Sequence, residues 1–194
     1  MTQLILATRN AHKTREFAEI LGSKIEVRDL TSETEFTPVE ETGHSFEENA
    51  ILKAVDASGR FPGLVVADDS GLEVDLLHGA PGIYSARYAG ERATDAENVD
   101  KLLNELAKVK SAMPPSARFR CCLALARGGS VLETFEGMIE GVIVKATRGT
   151  HGFGYDPVFQ PEGFDQTFAE LSPALKNRIS HRALAIHALR HALM

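Results

Sequence analysis

The sequence predicts an α/β fold, and two observations carry that prediction. Short, nearly continuous apolar runs such as "QLILAT" (3–8) and "GLVVAD" (63–68) read as strands covered on both faces. They alternate with segments whose apolar residues recur at helical spacing. A later stretch, "ARFRCCLALARGGSVLETFEGMIEGVIV" (117–144), reads as two long strands joined by Gly128-Gly129, a hairpin signal. With 194 residues and 43% hydrophobic content the chain can bury a substantial core, as one domain (1–194) or two closely joined lobes.

The elements follow in order. After the first strand, Asn10 is placed to cap a helix whose apolar face is Phe17, Ile20 and Leu21, and Gly22 ends it. "KIEVRDL" (24–30) reads as a second strand, and residues 31–43 as a long polar loop of the kind that is usually functional. Ser45 opens a helix with Phe46, Ala50, Ile51, Ala54 and Val55 inward and Glu48 at the capping-box spacing. The next strand runs to Asp68, a helix over 94–109 is capped by Thr94, and the hairpin follows. The final stretch, "LSPALKNRISHRALAIHALRHALM" (171–194), divides into two helices, capped by Ser172 (with Pro173 first) and by Ser180.

Charge and composition exclude several classes. A formal net charge of -6 argues against a face built for a nucleic-acid backbone. The two cysteines, Cys121 and Cys122, are adjacent and form neither a disulfide framework nor a zinc site. No signal peptide and no membrane span is legible, so the expectation is a soluble cytoplasmic protein without membrane partners. His44, His78, His151, His187 and His191 have no metal-ligand spacing.

Four stretches carry chemistry. "TRNAHK" (Thr8, Arg9, Asn10, Ala11, His12, Lys13) sits between a strand end and a helix N-terminus, where free N–H groups and the dipole favour an anion such as phosphate. It is neither a Walker nor a GxGxxG motif. "ADDSG" (67–71) emerges at the C-terminal end of a strand; if the strand persists, Asp68 and Asp69 face opposite ways, and otherwise Asp-Ser-Gly makes a turn. Together with Glu40-Glu41 these carboxylates are material for a magnesium ion bridging protein and phosphate. "THGFGYDPVF" (150–159) taken alone reads as a strand with core aromatics and a Pro-ended edge, the alternative being glycines around Phe153 that let a flat ligand approach closely; in "SHR" (180–182) His181 and Arg182 are either surface groups at a helix start or donors to a base carbonyl. "GAPGIYSARY" (79–88) receives no catalytic role.

Together, "TRNAHK", "EETGHSFEENAILKA", "ADDSGLEVD", "GAPGIYSARY", "GFGYDPVF" and "SHR" resemble the Ham1 family of inosine/xanthosine triphosphate pyrophosphatases, in the family's order from residue 8 to residue 182. The resemblance implies a homodimeric α/β protein with an elongated central mixed sheet flanked by helices, and two lobes with a nucleotide cleft between them. It implies Mg2+-dependent cleavage of ITP, dITP and XTP to the monophosphate and pyrophosphate. Thr8 to Lys13 would cradle phosphates, Lys53 would reach the triphosphate, and Asp69 would be the general base. Glu40 aligns with the metal-binding glutamate, Glu41 being the alternative, and Asp69 shares the ion. Ser70, Phe153, Gly154, Tyr155, Asp156, Lys176, His181 and Arg182 match the remaining substrate-binding positions, Phe153 being the stacking ring. Arg9 and His151 stand where the family often has glycine. The rivals are a Maf-like pyrophosphatase with another base preference, and a nucleotide-binding regulator without turnover.

Overall fold

The computed structural model describes residues 2–109 and 114–193. Among these residues six strands form one mixed sheet in the order β2-β1-β3-β4-β5-β6: β1 (Thr2–Leu6), β2 (Ile25–Asp29), β3 (Leu64–Val74), β4 (Ser116–Arg127), β5 (Ser130–Ile143) and β6 (Phe159–Pro161). β1 lies parallel to both neighbours, with Leu4 opposite Val27 on β2 and Leu64 on β3. β6 is antiparallel to β5. Among the described residues five α-helices accompany the sheet: α1 (Ala11–Leu21), α2 (Phe46–Arg60), α3 (Asp95–Lys108), α4 (Pro173–Ile179) and α5 (His181–Ala192). Among the described residues no helix is long and apolar enough to cross a membrane.

The chain divides into two compact units. The first comprises residues 1–69, 121–137 and 181–194, and the second residues 70–120 and 138–180. In the first, Leu4, Leu6 and Val66 of the sheet pack with Phe17 and Leu21 of α1, Leu123 of β4 and Ile186 and Leu189 of α5. Val65, Val66 and Ala67 are fully buried in succession, as expected where helices cover both faces of a parallel strand. In the second, Leu72, Val74, Leu102 and Ile143 surround a trio of rings. Phe119 lies 4.7 Å from Phe159 and 5.9 Å from Phe168, centroid to centroid.

Local chemistry explains the boundaries. The Asn10 side chain accepts from the His12 and Lys13 amides and fixes the start of α1, and Gly22 at φ 72° ends it. Thr94 and Glu97 form a reciprocal capping box on α3. At α2 only half the expected box forms: Ser45 accepts from the Glu48 amide, but Glu48 Oε2 takes the His44 amide, one residue before the cap. The Gly43 amide donates to Asn49 Oδ1 at 2.8 Å, which holds the incoming loop against the first turn of α2. Pro173 opens α4, and Ser180 separates it from α5 as the sequence predicts.

Two expectations are revised. β3 does not stop at Asp68 but continues to Val74, so "DDSG" is strand and not turn. Residues 150–158 are not an extended strand; the turn they form leaves only Phe159–Pro161 paired to β5.

One close approach makes a direct test of the packing. A Cβ on Gly137 of β5 would collide with the His181 carbonyl oxygen of α5 and sit 2.7 Å from the Ala185 nitrogen, so only glycine lets that helix lie on the strand. Gly137→Ala is expected to lower stability by about 2 kcal/mol, read as a lower urea midpoint; wild-type stability would contradict the packing.

Candidate active site

In the first unit, Thr8 lies two residues beyond the end of β1, and α1 begins three residues later, at Ala11. Thr8 Oγ1 accepts from the Asn10 amide at 3.1 Å, closing the turn that presents Ala11, His12 and Lys13 at the helix start. Arg9 turns away to the long loop, where its guanidinium donates to the carbonyls of Glu33 and Phe36. Its charge therefore braces that loop.

Because β3 persists through residues 68–70, its two aspartates face opposite ways. Asp68 is fully buried at its side chain. Its Oδ1 pairs with the Lys13 ammonium, and its Oδ2 accepts from Arg182 Nε at 2.7 Å and from Cys121 Sγ at 3.4 Å. Arg182 in turn donates through Nη1 to Glu16 Oε2 at 2.7 Å. Asp69 Oδ1 accepts from Lys53 Nζ at 2.6 Å, and the same ammonium reaches Glu41 Oε1 at 2.8 Å. Lys13 and Lys53 also converge on one oxygen, the Asp68 carbonyl, at 3.3 and 3.0 Å. Two ammonium groups sharing an acceptor repel each other, and the flanking carboxylates offset that repulsion.

The neighbouring carboxyls are driven in opposite directions. Burial alone would push Asp68 up, but the combined attraction of Arg182 and Lys13 overrides it and holds the carboxyl well below the usual aspartate range. Burial raises Asp69 too, and there Lys53 offsets it only in part, so Asp69 titrates above the ordinary aspartate value. Lys53 is itself held above its usual range: burial opposes its charge, and Asp69 and Glu41 outweigh burial.

This constellation suits a divalent cation. The ion pairs join three cations (Lys13, Lys53, Arg182) to four carboxylates (Asp68, Asp69, Glu41, Glu16), a net charge of -1 when all are ionised. Asp69 Oδ2 is buried and has no hydrogen-bond partner among the described residues. A hard oxygen donor left in that state fits magnesium, which takes one or two protein carboxylates and completes its shell with water and phosphate. Among the described residues no group of three or more His, Cys, Asp or Glu forms a dedicated protein cage. Glu41 pairs with Lys53, which also holds Asp69, whereas Glu40, the metal ligand that the resemblance implies, is exposed.

In the second unit, Ser70 follows on β3 and is half-buried. Asp156 Oδ2 accepts from the Phe153 amide at 2.9 Å and from Lys176 Nζ at 2.5 Å, and that ammonium lies 4.8 Å from the centre of the Phe153 ring. Tyr155 is a core residue whose hydroxyl donates to the Ser85 carbonyl at 2.8 Å. The Gly154 amide donates to Asp95, and His151 is exposed. His181, in the first unit, is buried at the start of α5. The predicted residues thus fall into two groups: Thr8 to Lys13, Lys53, Asp69, His181 and Arg182 in one unit, and Ser70, Phe153 to Asp156 and Lys176 in the other. Sequence reasoning missed Glu16 and Asp95, neither of which belongs to a quoted motif.

A sequence profile of the Ham1 family matches residues 4–192. The chain belongs to the Ham1 family. It is 51% identical over 191 residues to the dITP/XTP pyrophosphatase of Bacillus licheniformis, covering 97% of this chain and 96% of that protein. It is 48% identical over 195 residues to the dITP/XTP pyrophosphatase of Bacillus subtilis, covering 100% and 98%. The solved structure of a HAM1 protein from Coxiella burnetii superposes with a TM-score of 0.88 at 41% identity, over 100% of this chain and 98% of that one. The Ham1 protein of Staphylococcus aureus gives 0.86 at 40%, over 99% and 98%.

The Asp68 network generates a pH-dependent prediction. Asp68→Asn leaves Lys13 and Arg182 without their shared counter-charge and is expected to cost about 3 kcal/mol at neutral pH. The wild-type carboxyl is depressed in the folded state, so its contribution is present above the unfolded aspartate value and fades as pH falls through the folded one. Urea unfolding from pH 7 to pH 3 is therefore expected to show the two proteins converging on acidification; a constant gap would contradict the ion-pair account.

Proposed function

We propose that this protein hydrolyses the non-canonical purine nucleoside triphosphates ITP, dITP and XTP to the nucleoside monophosphate and pyrophosphate. What carries the reading is full-length identity of about half to curated dITP/XTP pyrophosphatases, in a chain that keeps two lysines and a raised aspartate on adjoining elements. The reaction must neutralise a tetra-anionic chain, align a water and stabilise the departing pyrophosphate.

Lys13 and Lys53 are held at the Asp68 carbonyl before substrate arrives, so their charge needs little reorganisation when phosphate replaces water around them. Asp69 is the general base: its raised carboxyl accepts the proton of the attacking water, while the Lys53 hydrogen bond fixes its orientation. Magnesium, where bound, supplies charge neutralisation at the phosphates. Asp69 Oδ2 would hold it together with a carboxylate of the Glu40-Glu41 pair. Glu40 is the ligand that the resemblance implies and Glu41 the one the fold seats beside Asp69; comparing Mg2+ titrations of Glu40→Gln and Glu41→Gln separates them.

Base recognition is assigned to the second unit's turn, with Phe153 stacking on the purine and Lys176 beneath its ring. Donors facing a 6-keto oxygen reject adenine, whose amino group would leave buried donors unpaired. Homodimerisation and a cytoplasmic location complete the reading, as for a nucleotide-pool enzyme.

The experiment is a substrate panel of ITP, XTP, dITP, GTP, ATP and UTP with and without Mg2+, with the phosphate product identified. Metal-dependent pyrophosphate from the first three is the expected result. Orthophosphate, a pyrimidine preference or an absence of turnover would each overturn the assignment. Asp69→Asn is expected to lower kcat by at least about a hundredfold with nucleotide affinity nearly unchanged. Phe153→Ala is expected to raise KM for ITP about tenfold with little change in thermal stability, and an unchanged KM would remove Phe153 from the base site.

A further inference from the structure

The segment "GAPGIYSARY" acquires a role from α3. Asp95, Asn98 and Lys101 occur at three-residue spacing, which sets them along one side of that helix, and each ends on the main chain of a motif loop. Asn98 Oδ1 accepts from the Ala89 amide at 2.7 Å and its Nδ2 donates to the Ala86 carbonyl at 3.1 Å. Lys101 Nζ donates to the Tyr88 carbonyl at 2.5 Å and sits 4.4 Å from the centre of that tyrosine's ring. Asp95 Oδ2 accepts from the Gly154 amide at 2.6 Å. The two loops are also joined directly, because Tyr155 donates to the Ser85 carbonyl at 2.8 Å, while Ser85 Oγ holds the Leu72 amide at 2.9 Å and donates to the Gly82 carbonyl at 2.6 Å.

What this brace fixes is the direction of Phe153. The residue is flanked by Gly152 at φ 77° and Gly154 at φ 60°, two positions with the largest backbone freedom available. The amides on either side of its Cα are both held by aspartates. Its own N–H donates to Asp156 Oδ2 at 2.9 Å, within the turn, and the Gly154 N–H donates to Asp95, 59 residues away in sequence. The Asp156 bond belongs to the turn and moves with it. The Asp95 bond ties the turn to a helix anchored in the core through Val99 and Leu102.

We propose that Asp95 is a positioning residue for base recognition: by accepting the Gly154 N–H it sets the orientation of the Phe153 ring, and with it the affinity for purine nucleotides. This rests on the reading of residues 153–156 as the base-facing turn. It also places the Gly154 amide in the scaffold, so that N–H is a fixed point of the turn and not a nucleotide donor. Asp95 is exposed, at the first position of α3, and its replacement leaves the apolar face of that helix intact.

The test compares Asp95→Ala, which removes the acceptor, with Asp95→Asn, which keeps an acceptor oxygen and loses the charge. Steady-state kinetics with ITP and Mg2+ are paired with hydrogen exchange of the peptide covering 150–158 in the protein without nucleotide. The expected result for Asp95→Ala is a KM raised about tenfold, kcat within about twofold, and faster exchange at the Gly154 amide. Asp95→Asn is expected to restore both KM and protection. An unchanged KM in Asp95→Ala overturns the proposal, as does a KM defect that Asp95→Asn shares in full, since that would be an effect of charge or of helix stability. Unchanged exchange across 150–158 overturns it independently of any activity. A wild-type protein that leaves ITP untouched would refute the proposed function, and the exchange comparison would then decide alone whether Asp95 holds the turn.

Discussion

The Asp68 carboxylate is the constraint on which the first compact unit's ion-pair network depends. It is buried with both oxygens engaged, and it joins β3 to α1 through Lys13 and to α5 through Arg182. A buried carboxylate is tolerated only with such partners, and removing one partner leaves the other stranded. Its backbone oxygen collects both ammonium groups of Lys13 and Lys53. One residue therefore anchors two elements by its side chain and arranges two cations by its main chain. The two ammonium groups are held side by side by the fold itself.

Asp69 is a single residue further along, and the alternation of a strand gives it a different environment and a different chemistry. Asp68 meets two cations and stays ionised. Asp69 shares one cation with Glu41 and keeps one oxygen buried without a hydrogen-bond partner among the described residues, which lifts its proton affinity. A carboxyl with raised proton affinity, as the proposed base requires, and a structural carboxylate with a lowered one are thus produced from the same residue type by the pleat of β3. Had the chain turned at Asp-Ser-Gly, both would have faced solvent, and neither shift would arise.

Much of this was legible in the sequence because it depends on local rules. Caps at Asn10, Ser45, Thr94 and Ser172 and the Gly128-Gly129 hairpin follow from short-range backbone chemistry, and the structure has them where the sequence places them, while Ser180 stands as the residue that ends α4. The α4–α5 break was legible from the spacing of Lys176 and Arg182, though the fold then sends the two to different carboxylates, Asp156 and Asp68. What escaped reading are partners distant in the chain: Glu16 with Arg182, 166 residues apart, and Asp95 with Gly154. Lys13 and Glu16 share a face of α1 by spacing, yet nothing local says that an arginine from α5 will meet it. The course of "DDSG" was ambiguous for a related reason. Its turn propensity is real, and the pairing and burial of β3 override it.

The account rests on Asp68 and Asp69 having opposite proton affinities, and carboxyl-carbon NMR titration of the two measures that directly. Assigned resonances of the wild-type protein, followed from pH 8 downward, are predicted to show Asp69 titrating above the ordinary aspartate range, while Asp68 stays ionised until well below it. Equal midpoints, or Asp68 titrating first, would contradict the division of the pair into an ionic anchor and a base.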